Sequence, residues 1–503
     1  MSCYAEVREL DFILQNSISH WTNPRLKGAE ELIMSESIET KNQPVDYGVV
    51  TLYFVAFLVY LVIVLLAGLS YSLQFLQKYP FPGIEYLSPG RVRIVHTQAV
   101  AYGMLANGLF GIVSYIIPKL TGRPAWSRGL SLSLFWTYNA FVVTAVLMIL
   151  GGHAQGLEWA ETPRILDPFI ALAVVAWVIN MIVPIWKSRS EPFYVSMWYI
   201  LSALIWTPLV YVFGNFLPEY VFAGTAGAAI SSMYIHDLVG LFVTPLGIAS
   251  VYYLLPVAMR KPLYSHALSI IGFWGLAFFY PLNSAHHYLY SPIPMWAQYA
   301  SIVASIGVHV VVYTVVFNII ATVASDWSQL RSNFPVRWIF MGTIAYLITC
   351  IQCAVQVTLA AQEIIHFTDW VVGHAHFVLF GTFTFWVTAW VYWLLPRIWG
   401  VPIHSVSLER WHFWLATIGI CIMQVDLLAA GVVQGMMWKA LLPFIDSVRA
   451  SVPFWWTRTF SGIIILVGES CFILNIYLTW QSSRLKKVEG PTPGLAGAAG
   501  GAS

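Results

Sequence analysis

Apolar runs of about 20 residues, long enough to cross the hydrocarbon of a bilayer, recur along almost the whole chain. They fall near 49–77, 92–117, 131–153, 166–186, 194–215, 228–256, 267–284, 297–323, 337–361, 370–396, 409–435 and 456–481. Lipid offers no partner to a bare backbone group, so an open-ended spanning segment has to be a helix. The pattern therefore predicts an all-α, polytopic membrane protein with twelve transmembrane helices. Between the runs, KYPFPG, TGRPAW, SRSEPF, YSPIPM and SNFPVR place Pro or Gly where a helix must stop. No repeat at a fixed period stands out, which reads as one unit. Residues 1–47 are polar and mixed in charge, with no apolar core and cleavage site of a signal peptide, and read as an arm outside the membrane. The tail EGPTPGLAGAAGGAS reads as flexible. The organisation expected is thus an N-terminal arm (1–47), a twelve-helix unit (48–482) and a C-terminal tail (483–503).

Composition agrees with this. Hydrophobic residues make up 58% of the 503 and charged ones only 10%, against roughly a quarter charged in soluble domains. A net charge of +2 gives no case for a nucleic-acid partner. An even number of spans puts both termini on one side. The loops on that side carry Lys119, Arg123, Arg128, Lys187, Arg189, Arg260, Lys261, Arg331 and Arg397, while the opposite loops hold Glu158, Glu161, Glu219, Glu363 and Asp369. By the positive-inside rule the termini are cytoplasmic and the acidic face looks outward. The five cysteines form no disulfide framework, and the CxxC of Cys350 and Cys353, inside a span, reads as two small buried hydrophobes. No CxxCH is present, so electrons would have to come from another chain.

Histidine carries the chemistry. His20, His266, His404 and His412 sit at or beyond the ends of the apolar runs and read as solvated or interfacial. His309, mid-span, reads equally as a hydrogen bond to a neighbouring helix or cofactor edge and as a ligand, and His153 is given no role. The informative set is His96, His236, His286, His287, His374 and His376, and six membrane-embedded imidazoles are costly to bury without a metal. His374 and His376 are two apart, so on a helix they face nearly opposite ways and serve two different cofactors. His96 can complete a six-coordinate iron with one of them, leaving the other as a single proximal ligand with an open face. His236, His286 and His287 form an all-imidazole metal site facing it; beside a haem, copper suits a redox task and zinc does not. The adjacency of His286 and His287 needs an irregular helix end, which Pro281, Asn283 and Ser284 supply.

His96, MYIHDLVG, Tyr280 with AHH six residues on, and TDWVVGHAHF together resemble the catalytic subunit of the haem-copper oxygen reductases, specifically the C-type or cbb3-type cytochrome c oxidases. WYILSALIWTPLVYVFGN, LLPRIWG, HFWLATIG, AAGVVQGMMWKA and WTRTFSG extend the resemblance over about residues 90 to 480. It implies that His96 and His376 hold a low-spin haem b, that His374 is the proximal ligand of a high-spin b-type haem, and that His236, His286 and His287 hold copper. Tyr280 resembles the tyrosine cross-linked to the copper ligand on the preceding helix, here His236. Arg458 resembles an arginine near haem propionates, and Glu158 with Glu161 an acidic loop beside propionates and a calcium ion. The implied activity is reduction of O2 to water in the cytoplasmic membrane of a prokaryote, with membrane-anchored c-type cytochrome subunits as partners and protons drawn from the cytoplasm and pumped. One-step cleavage of O2 takes four electrons, and a phenol beside the two metals can give one of them with its proton.

Two positions depart from the family pattern. Gln352 stands where a glutamate is usual, fourteen residues before His366, and an amide cannot relay a proton as a carboxylate does. Asp237 stands where Asn is common beside the copper ligand. Asp426 and Glu469, inside late spans, read equally as proton relays or structural partners. The nearest alternative is a nitric oxide reductase, whose non-haem iron takes a carboxylate four residues after the helix-six histidine; here that position is Gly240. A non-redox transporter of twelve spans is more distant, because internal repeats and unwound midplane helices are not evident.

Overall fold

The computed structural model describes residues 44–188 and 193–489. Nearly all of the arm read at 1–47, and the tail from residue 490, lie outside the described residues. Among the described residues, twelve helices are long and apolar enough to cross a membrane: α1 (Tyr47–Phe75), α2 (Pro89–Thr121), α3 (Arg128–Leu150), α4 (Arg164–Lys187), α5 (Val195–Val221), α6 (Gly224–Met259), α7 (His266–Tyr288), α8 (Met295–Ala324), α9 (Phe334–Gln356), α10 (Asp369–Trp399), α11 (Val406–Lys439) and α12 (Phe444–Leu485). All twelve expected runs are present. Helix α12 starts well before the apolar run at 456, and the serines of IDSVRASVPFWW satisfy their hydroxyls on its own backbone, Ser447 on Phe444 O and Ser451 on Ser447 O. It also continues as helix to Glu489, so the boundary read at 482 is not a break in the helix.

Helices α2, α6 and α10 are the most deeply buried along their most apolar stretches and pack on one another at the centre, ringed by the rest. Their close approach relies on small residues: a Cβ at Gly108 of α2 would lie 2.7 Å from Val387 of α10, and one at Gly247 of α6 would lie 2.8 Å from Phe383. Each central helix widens to π-type turns just beyond a candidate ligand, at Ala99–Leu105 after His96, Leu238–Val243 after His236 and Phe377–Thr384 after His376. Such widening commonly marks functional positions in helices.

A repeat that the sequence pattern hid becomes visible here. IIPKLTGRPAWS ends α2, LLPVAMRKPLYS ends α6 and LLPRIWGVPIHS ends α10, recurring after 138 and 140 residues. In each, the residue four after the proline is left-handed (Gly122, Arg260, Gly400), which closes the helix and turns the chain. The final serine then caps the next helix: Ser127, Ser265 and Ser405 accept from Leu130, Leu268 and Leu408 N at 3.2 Å. The same serines donate their backbone N–H to Asn180, Asn318 and Asn475 at 2.9 Å, clamping α3 to α4, α7 to α8 and α11 to α12. The chain is thus three four-helix units whose second helices meet at the centre. The expectation of no repeat is corrected: the likeness resides in one turn per unit, too short and too widely spaced to appear as a period.

Candidate metal centres

His96 on α2 and His376 on α10 face each other with ring centroids 6.0 Å apart and planes 20° from parallel. Their Nδ1 atoms donate to backbone carbonyls, His96 to Val64 O at 2.9 Å and His376 to Val372 O at 2.8 Å. Both Nε2 atoms are thereby left for the gap between the rings. Two metal–nitrogen bonds of about 2.0 Å plus the half-width of each ring fill a gap of this size. Gly68 of α1 makes room for the first ring, since a Cβ there would lie 2.8 Å from His96 Cε1. Arg458 of α12, 7% exposed and 4.9 Å over the Phe75 ring, is close enough for its charge to act on both imidazoles. The pair fits a bis-imidazole haem.

On the other side of α10, His236, His286 and His287 bring one nitrogen each to within 4.8 Å of one another. Tight turns at Tyr280–Leu282 and Ser284–Tyr288 end α7 and turn the adjacent histidines inward. His236 Nδ1 and His287 Nε2 stand 3.0 Å apart. His286 Nδ1 is 2.8 Å from Ser305 Oγ, whose own hydrogen goes to Ser301 O, so His286 donates there and keeps Nε2 for a metal. His236 Nε2 is buried without a hydrogen-bond partner, while the Tyr280 ring lies nearly parallel to the imidazole at 4.9 Å. A copper ligand through Nδ1 with Nε2 turned to the phenol is the arrangement that these atoms fit. Gly240 makes it possible: a Cβ there would fall 1.8 Å from Tyr280 Cε1, so the phenol ring occupies the space of any side chain at that position.

His374, two residues from His376, points to the other face of α10, close enough to all three of these histidines to interact with them. Its Nδ1 is 3.3 Å from Gln352 Oε1 and its Nε2 is 3.5 Å from Cys353 Sγ, both on α9. Gln352 therefore lies behind the expected proximal ligand. Cys353 borders the nitrogen that would meet iron, a placement that the reading of the CxxC as plain hydrophobes did not anticipate. Thr244, one turn past Gly240, meets the Tyr280 hydroxyl. Neither Thr244 nor Ser305 carries a sequence signal, because a hydroxyl in a span usually bonds its own helix.

Other assignments divide. His309 is a helix-to-helix bond, its Nε2 2.9 Å from Cys350 O. His412 is not interfacial: it is fully buried, with Nδ1 3.0 Å from Tyr392 OH and Nε2 3.1 Å from Glu469 Oε1. The apolar run starts only at 409, but Ser405 caps α11 and puts His412 two turns in. Glu158 is exposed on the loop after α3, whereas Glu161 is 8% exposed and accepts from Gln98, two residues past His96. Burial pushes the Glu161 carboxyl above its usual range. Asp237 is 2% exposed with Oδ1 unpartnered, and Asp426 Oδ2 is likewise buried and unpartnered.

A family model described as Cytochrome C and Quinol oxidase polypeptide I matches residues 48–464. A cytochrome c oxidase subunit 1 of Rhodobacter capsulatus is 29% identical over 86% of this chain and 84% of its own. The cbb3-type cytochrome c oxidase subunit CcoN1 of Stutzerimonas stutzeri is 26% identical over 84% of this chain and 92% of its own. A nitric oxide reductase polypeptide from the same organism follows at 23%, over 84% of this chain and 93% of its own. Among solved structures, a heme-copper terminal oxidase dimer matches with a TM-score of 0.70 at 13% identity, over 86% of this chain and 84% of that one. It shows the same fold.

Proposed function

We infer that this chain, which belongs to the cytochrome c and quinol oxidase polypeptide I family, is the catalytic subunit of a multi-pass bacterial membrane oxidase that reduces O2 to water. The observation that carries the reading is the Tyr280 ring seated between His236 and Gly240, beside three convergent imidazoles. A carboxylate from position 240, as a non-haem iron site of a nitric oxide reductase takes, has no room while that ring is in place.

When bound, two haems and a copper supply electron transfer, O2 binding and most of the electrons for its reduction. His96 and His376 would hold the low-spin haem b, Arg458 facing its propionates; His374 would hold the high-spin haem; His236, His286 and His287 would hold copper. Backbone carbonyls and Ser305 orient three of these rings and set which nitrogen faces inward. Tyr280 gives a proton and an electron from its hydroxyl and takes them back between turnovers. Inward of it polar side chains continue: Thr244, then Tyr199 and Tyr252 with rings 5.9 Å apart, the buried Tyr252 hydroxyl lying beside Asn318. Lys261 beside Ser325 and Asp326 lies at the inner surface. This line supports proton supply from the cytoplasmic side, with both termini there and the acidic loops outward. A calcium ion at the outer loop would draw on Glu158 and backbone carbonyls, since Glu161 is engaged by Gln98. Electrons would come from membrane-anchored c-type cytochrome subunits, and pumping is the expectation for the family.

Metal analysis and one variant test this. The purified complex should hold one copper per two haems carried by this chain; extra iron without copper would turn the reading to nitric oxide reduction. His286→Ala should keep the low-spin haem spectrum and abolish oxygen uptake, and turnover at the parent rate would remove copper from these histidines.

A further inference from the structure

Near the inner ends of α9 to α12 lies a buried polar cluster that the reactions above do not use. His412 and Glu469 are 0 and 1% exposed, joined Nε2 to Oε1 at 3.1 Å, and Glu469 Oε2 has no partner. Tyr392 OH meets His412 Nδ1 at 3.0 Å. Toward the inner end of α11, Glu409, fully buried, pairs with Arg337 and accepts from Trp338 Nε1 at 3.1 Å. The pair is faced by Trp338 from α9, its ring 4.4 Å from that of His412, by Tyr392 from α10 and by Cys471 from α12, while Glu409 and Asn475 lie around Tyr392 and Arg337 lies on Glu409.

The threefold repeat separates structure from function here. Counted from the capping serines and clamping asparagines, the positions of His412 and Glu469 correspond to Gly272 and Val312 in the second unit and to Leu134 and Val174 in the first. The same hairpin therefore packs twice without an ionisable pair. A half-satisfied buried carboxylate costs stability and is not needed to hold this hairpin together. Intramembrane ionisable groups of this kind mark proton and ion sites.

We propose that His412 and Glu469 form a proton-holding site fed from the inner surface, the side on which Arg337 and Glu409 lie. Loading adds one proton from inner-side water to the pair, taking its charge from −1 to neutral, and unloading releases that proton. In the unloaded form Tyr392 donates to Nδ1 while Nε2–H donates to Glu469, so the added proton enters a continuous hydrogen-bonded line. Tyr392 is sixteen residues past His376 on α10, about 24 Å along the helix, which sets the site apart from the metals and from the line inward of Tyr280.

The proposal rests on the oxidase reading, whose own failure would show as missing haem bands in the parent protein. The test counts protons taken up when the detergent-solubilised complex is fully reduced, read with a pH-indicating dye. Glu469→Gln and His412→Asn should each take up one proton fewer per molecule than the parent, with both haem spectra unchanged; the parent's count in both variants would overturn the proposal. Should neither variant accumulate, Tyr392→Phe decides: uptake slowed about tenfold supports the site, and an unchanged rate overturns it.

Discussion

At the scale of single residues, the candidate centre turns on what each ring leaves for its neighbour. Gly240 is the sharpest case. Its hydrogen faces the Tyr280 ring where a methyl would sit 1.8 Å from Cε1, so Gly240→Ala must push the phenol off His236. We expect oxygen uptake to fall about 100-fold, the scale of an ångström of misplacement at a reacting group, with the haem spectrum retained; an unchanged rate would show that the ring tolerates the shift. Gln352 is equally local. An amide oxygen 3.3 Å behind His374 orients the ring without the charge a carboxylate would bring, and that contact, not a proton relay, is what the residue does in the fold. Nothing in the sequence pattern connects positions 352 and 374; only the packing of α9 on α10 does.

The elements obey a rule visible three times over. Proline, a left-handed cap four residues on, and a capping serine close each central helix, and an asparagine from the hairpin's second arm secures the turn. Asn475 accepts from Ser405 N at 2.9 Å and donates to Ser405 O at 2.8 Å while fully buried. Replacing it with alanine leaves both backbone groups unpaired, at about 1–3 kcal/mol each. Asn475→Ala should therefore lower the thermal midpoint of the purified protein by several degrees, and Asn318→Ala should do the same, because Asn318 makes the same two bonds to Ser265. A midpoint unchanged in both would mean that the clamp is dispensable. Spans and their stops were legible beforehand because burial in lipid acts on each segment separately. The clamp was not, because its two halves are 53 or 70 residues apart.

For the molecule as a whole, three central helices bring candidate ligands from distant parts of the chain together. Glu161 ties the loop between α3 and α4 to this arrangement through Gln98, two residues past His96. Because burial raises its folded pKa above 4.5, folding favours the protonated form. The stability this contributes is complete below the unfolded value and is lost as pH rises through the folded one. Glu161→Gln, fixed neutral, should flatten the fall in thermal midpoint as pH climbs from 4.5, and a parallel decline in parent and variant would exclude Glu161 as its source.

The sequence by itself determined the twelve spans, the all-α class and the candidate set of six histidines and one tyrosine, because apolar length and the cost of burying imidazole are local properties. Tertiary structure alone decided that His412 is buried against Glu469, that Glu161 rather than Glu158 meets the histidine-bearing helix, and that Cys353 borders His374. It also decided that Gly240 yields its space to a phenol. Those facts depend on which helices touch and at what height, and contacts between segments far apart in the chain leave no mark on the pattern of either one.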